Sequence, residues 1–93
     1  MSFDNEGSET RTVVEIETED RLGLLYAISQ ALSEVELDIS AAKICTERGA
    51  AIDSFYVRDL DGEKILLPER QSLIERKLVQ AIQQLEAVPL AAA

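Results

Sequence analysis

Residues 38–58 read DISAAKICTERGAAIDSFYVR. Ile39, Ile44, Cys45 and Thr46 suit one pleated strand, and Ile52, Phe55, Tyr56 and Val57 supply the β-formers of another. Between them Glu47-Arg48-Gly49-Ala50 is a short loop holding a glycine, which signals a hairpin with left-handed geometry at its tip. The spacing therefore predicts strands over 38–47 and 51–58, paired antiparallel. Phe55 and Tyr56 are adjacent and point to opposite faces of the sheet.

Upstream of the hairpin, residues 11–19 read RTVVEIETE. Val14, Ile16 and Thr18 alternate with Glu15 and Glu17, the period of a half-buried strand. The period then changes. Leu24, Leu25, Ile28, Ala31, Leu32 and Val35 fall at helical spacing and predict an amphipathic helix that stops near Glu36 to Asp38. Downstream, Asp61-Gly62 marks a turn, and Pro68 with Glu69 opens a second helix whose apolar stripe is Ile74, Leu78, Ala81, Ile82 and Leu85. Residues 1–10 are read as a flexible acidic tail, 11–86 as one domain, and 87–93 (AVPLAAA) as a short C-terminal tail or a weak fourth strand, which Pro89 confines to an edge. Two helices can bury their stripes only on the sheet. The expected fold is α+β, a ferredoxin-like β-α-β-β-α-(β) sandwich with an antiparallel sheet and both helices on one face.

The chain has 93 residues, enough for one modest core. Its 18 acidic against 9 basic residues give a net charge of −9, which repels phosphate backbones and anionic membranes, so neither nucleic acid nor membrane is expected as a partner. The absence of histidine excludes a Ser-His-Asp triad, a Cys-His pair and imidazole metal ligation. No metal and no cofactor is expected. Cys45, the single cysteine, is read as a small buried side chain in a reducing compartment. The N-terminal residues have the character of neither a signal nor a transit peptide, and a cytoplasmic location is the expectation.

Four users of this architecture can be weighed against the residues. An RNA-recognition sheet needs aromatics on one face and a basic surface. A metallochaperone needs paired cysteines in the first loop. An acylphosphatase-like cradle needs a water-positioning amide, yet the one asparagine is Asn5, and Arg21 is the only base in the first loop. A small-molecule sensor remains. Glu15 and Glu17 share one side of their strand, but no neighbouring feature of the sequence suits them to acid–base work, so no catalytic residue is assigned.

Thr18-Glu19-Asp20-Arg21-Leu22-Gly23-Leu24-Leu25 resembles the first-loop signature of the ACT domain, usually an acid, Arg, Pro, Gly and two apolar residues. The resemblance continues through Ala27–Leu32, Leu37–Ile44, Asp53–Asp59 and Asp61–Ile65, most of the chain. It is nearest to the C-terminal ACT domain of bacterial PII-protein uridylyltransferase/uridylyl-removing enzymes. Leu22 departs from it, standing where the family usually has proline, so the loop is less rigid here.

The resemblance implies a non-enzymatic regulatory module that works as a homodimer, senses glutamine or another small amino acid at the dimer interface, and controls a catalytic domain or enzyme partner in nitrogen signalling. It implies ligand contacts at Asp20, Arg21, Leu22, Gly23, Leu24, Leu25, Ile39 and Ser40. The local chemistry is compatible: a helix start offers free N–H groups to a carboxylate, and Asp20 has the charge to accept an ammonium. Plainer readings stand beside these. Gly23 also serves as a tight-turn residue, Asp20 as a helix cap, and Tyr26 and Tyr56 as interface or core aromatics. Val13 and Leu37 are available to an interface. The alternative is a ligand-free dimerisation or protein-interaction module, in which a free sheet edge pairs with its copy.

Overall fold

The computed structural model describes residues 1–19 and 22–87. Its elements are β1 (Ser2–Asp4), β2 (Thr12–Glu19), α1 (Leu24–Glu34), β3 (Leu37–Glu47), β4 (Ala50–Asp59) and α2 (Pro68–Ala87). The strands form one antiparallel sheet in the order β1-β2-β4-β3. The period-2 reading of the sequence fixes its inner face. Val14 and Ile16 of β2 and Ala51, Phe55 and Val57 of β4 are buried against Leu24, Ile28, Ala31 and Leu32 of α1 and Ile74 and Leu78 of α2. This is the expected ferredoxin-like layering, with both helices on one face. No helix among the described residues is long and apolar enough to cross a membrane.

The hairpin at 47–50 is tight. Arg48 has φ 53° and Gly49 φ 82°, both left-handed, so a two-residue turn connects β3 to β4 with the twist that paired strands require. β3 also carries a bulge at Ser40, between the pairs Ile39–Val57 and Ala41–Tyr56. Pro68 is the first residue of α2, where its missing N–H costs nothing.

The first ten residues correct the expectation of a flexible tail. Ser2–Asp4 pairs with β2, Phe3 lying opposite Val14 and packing against the core. β1 thus takes the sheet edge beside β2. Behind it stands a network centred on Thr12, which is fully buried. The Thr12 hydroxyl donates to Asn5 Oδ1 and accepts the Ile65 N–H at 2.7 Å. Asn5 Nδ2 donates to the Ile65 carbonyl at 3.1 Å, and Lys64 Nζ donates to the Asn5 carbonyl at 2.6 Å. A strand of three residues is too short to show an alternation, and its anchors lie some 60 positions away in sequence. The weak strand or tail expected over 87–93 lies, beyond Ala87, outside the described residues.

Thr12→Val keeps the shape of the side chain and removes the hub of this network. The Ile65 N–H loses its acceptor in a buried setting, so the variant is expected to be about 1–3 kcal/mol less stable. A thermal melt should show a midpoint at least about 4 °C lower. An unchanged midpoint would mean that the network contributes nothing net.

Candidate functional site

The loop between β2 and α1 ends at Gly23, the N-cap of α1, with φ 82° and ψ 0°. Among the described residues a β-carbon built there would meet only Leu85 Cδ1, at 3.8 Å, while the left-handed backbone at φ 82° by itself favours glycine. The cap is therefore Gly23, which has no side-chain acceptor, and not Asp20 as the sequence suggested. The Gly23 carbonyl already accepts the Ala27 N–H at 2.9 Å, which closes the first turn. The N–H groups of Leu24, Leu25 and Tyr26 have no partner within the helix. No acidic residue occupies the first turn of α1, so nothing within the helix offsets the positive end of its dipole.

The residues that carry these groups border a concavity of about 360 Å³ lined by Leu22, Gly23, Leu24, Leu25 and Tyr26 on one side and by Ile44 of β3 and Ala51 and Asp53 of β4 on the other. Asp53 is only 2% exposed. It lies opposite Ile16 of β2 and Ile44 of β3 and occupies an inward position between Ala51 and Phe55. A carboxylate so placed is unusual, since an acid is almost never fully buried without a specific role or partner. The rim is apolar and open to solvent: Leu22 is 95% exposed, Tyr26 71%, Ile44 48% and Leu25 45%. These four side chains put exposed apolar surface around the mouth of the concavity.

Of the residues singled out from the sequence, Leu22, Gly23, Leu24 and Leu25 come together here. Asp20 and Arg21 lie outside the described residues. Ile39 and Ser40 are not brought to the concavity within one chain, because they stand five and four positions from Ile44, roughly 16 and 13 Å along β3. Ile39 is half-buried against the core. The Ser40 hydroxyl donates to the Tyr56 carbonyl at 3.1 Å and accepts from Arg11 Nε at 3.1 Å, which secures the bulge. Val13 and Leu37, offered to an interface by the sequence, are buried. Cys45, expected in the interior, is exposed, because β3 is the edge strand and nearly all of its second half is uncovered. Tyr26, Ile44, Ala51 and Asp53 were missed as lining residues. The signal for Asp53 was present: the alternation Ala51, Asp53, Phe55, Val57 puts an acid in phase with the core.

The sequence is similar to that of known proteins. Residues 1–91 match the family described as ACR9-like, ACT-like domain. The chain is 44% identical over 82 residues to a bifunctional uridylyltransferase/uridylyl-removing enzyme of Cereibacter sphaeroides, covering 88% of this chain and 9% of that one. It is 43% identical, over 88% of its length, to the protein of the same name from Ruegeria pomeroyi. For the Rhodospirillum rubrum protein of that name the identity is 43% over 87% of this chain. The chain spans about 9% of the length of each of these relatives, so it corresponds to one small domain of them. By sequence and by architecture, this chain belongs to the ACT-like domain family.

Proposed function

We propose that the chain is a regulatory domain that binds a small amino acid, glutamine first among candidates, at a site completed between two copies, and that the bound state controls a uridylyltransferase-type catalytic partner. The observation that carries this reading is the shared lining of one concavity by the first turn of α1 and by the buried Asp53. A zwitterion matches both ends. Its carboxylate takes the N–H groups at the helix start, and its ammonium takes an Asp53 oxygen, a carboxylate being able to accept several hydrogen bonds. An amino acid with a neutral side chain has no net charge, so a domain of charge −9 does not repel it.

The second copy accounts for the residues that one chain leaves apart. β3 is an edge strand, and from Ser40 to Glu47 it is exposed. Antiparallel pairing of two such edges about a two-fold axis carries the partner's Ile39 and the partner's Ser40 toward the concavity beside Ile44. The control of a catalytic partner is carried over from the names of the relatives, of which this chain matches a small part.

A thermal-shift screen against the amino acids tests the reading. A ligand at a hundred times its Kd adds about 2.7 kcal/mol, which for a domain of this size raises the melting midpoint by about ten degrees. No shift with any amino acid, in a chain that light scattering shows to be dimeric, would establish the ligand-free dimerisation module instead. A stable monomer at high concentration would remove the intersubunit site.

A further inference from the structure

We propose that the leucines between β4 and α2 form a docking surface for a basic amphipathic helix of a partner protein. Leu66 and Leu67 are 65% and 64% exposed, and with the buried Ile65 they line a concavity of about 250 Å³. Leu60, 70% exposed, lies in the neighbouring hollow, which shares Asp59 with the first. This surface is at the far end of β4 from the amino-acid concavity, roughly 20 Å along the strand from Asp53, and it does not depend on that reading.

The exposure of these leucines is not looseness. Ile65 is clamped: its N–H donates to the Thr12 hydroxyl at 2.7 Å, and its carbonyl accepts Gln71 Nε2 at 2.8 Å and Asn5 Nδ2 at 3.1 Å. The Leu67 carbonyl accepts the Gln71 N–H at 3.0 Å, and Pro68 restricts the backbone of Leu67 further. Local structure does not call for leucine at either position. Leu67 stands immediately before Pro68, at the N-cap of α2, where Ser, Thr, Asp or Asn serves best. Leu66 precedes it and would staple to an apolar residue at position 71, but Gln71 stands there with its amide bound to Ile65. The charges around the leucines choose the partner. Asp61, Glu63 and Glu69 are exposed and make no ion pair among the described residues. The two bases that line the concavity are directed at backbone carbonyls, Lys64 Nζ at that of Asn5, 2.6 Å away, and Arg70 Nη2 at that of Val35, 3.3 Å away. Uncompensated acids beside firmly held apolar side chains match a helix with one apolar face flanked by Lys or Arg. The same acids repel a second copy of this surface and an anionic membrane.

Titration of the isotope-labelled chain with a leucine–lysine peptide of about fourteen residues, its leucines on one helical face, tests this by the amide resonances. A peptide of the same composition in scrambled order controls for charge alone. The amides of residues 60–73 are expected to shift, and the ordered peptide to bind at least about tenfold more tightly than the scrambled one. Leu66→Ser combined with Leu67→Ser removes the apolar contact and should weaken binding about tenfold or more. Glu15→Gln combined with Glu17→Gln, on the outer face of the sheet, should leave it within about twofold. Far-UV circular dichroism of each variant verifies the fold. Equal affinity for the two peptides, or shifts centred on Glu15 and Glu17, overturns the proposal. It is overturned equally if residues 60–73 shift without peptide as the chain is concentrated, which assigns the surface to a second copy. Shifts of the same amides on adding vesicles of anionic lipid assign it to a membrane and overturn it too.

Discussion

Phe55→Ala is expected to lower the stability of the domain by about 3–5 kcal/mol. Phe55 is fully buried on the inner face of β4, between β2 and β3, opposite Val14 on one side and Ala42 on the other. It is the largest of the fully buried side chains. It sits among contacts from both helices' buried stripes, so its removal leaves a cavity that rigid strands on both sides cannot close. A domain of 93 residues carries about 5–14 kcal/mol in all, at ~0.05–0.15 kcal/mol per residue. The loss is therefore a large share of the total, and urea unfolding should show a midpoint displaced to low denaturant with an unchanged slope. A displacement worth less than about 1 kcal/mol would mean that the two layers collapse into the vacated space, and that the packing described here is far looser than the burial indicates.

The second large effect concerns the ligand. Asp53→Asn is nearly isosteric and keeps a carbonyl oxygen in place of a carboxylate oxygen, so the inward position of β4 stays filled. It removes the charge. If Asp53 holds the ammonium of a bound amino acid, the variant loses a charge-assisted hydrogen bond worth about 1.5–3 kcal/mol, a factor of roughly ten to a hundred or more in Kd. Calorimetry with the amino acid that gives the largest shift in the thermal screen measures this directly. The melting midpoint of the ligand-free variant serves as the control for folding. Equal affinity in parent and variant would take the ammonium away from Asp53 and leave the helix start as the remaining anchor.

The backbone conformation at Gly23 bears on the same site from the other side. The glycine is there because α1 begins from a left-handed residue, and the first residues of the helix line the concavity. Leu22, which takes the place of the proline usual in the family, is almost wholly exposed at the rim. The loop therefore combines a fixed glycine with a side chain that any covering partner must accommodate.

Much of this was readable along the chain. The alternation in 51–58 separated Phe55 from Tyr56 and turned one of them inward. The glycine in 47–50 set the hairpin, and the helical spacing of Leu24, Ile28, Ala31 and Leu32 and of Ile74 and Leu78 set the two faces that meet the sheet. Each of these is a local period or a local turn preference, and it repeats over enough residues to survive in the sequence. The tertiary structure decided what depends on neighbours distant along the chain. Ser2–Asp4 became a strand because Thr12 and Ile65 hold Asn5 in place. Cys45 is exposed because β3, and not β4, is the edge. Asp53 meets the start of α1 because β4 lies in the interior of the sheet with its inward side facing that helix. Ile39 and Ser40 stand away from the concavity because a strand separates residues by about 3.3 Å per position, whatever the motif that names them together. Order within a sheet and the closing of loops across it are set by pairings between segments, and no single segment carries them in its own pattern.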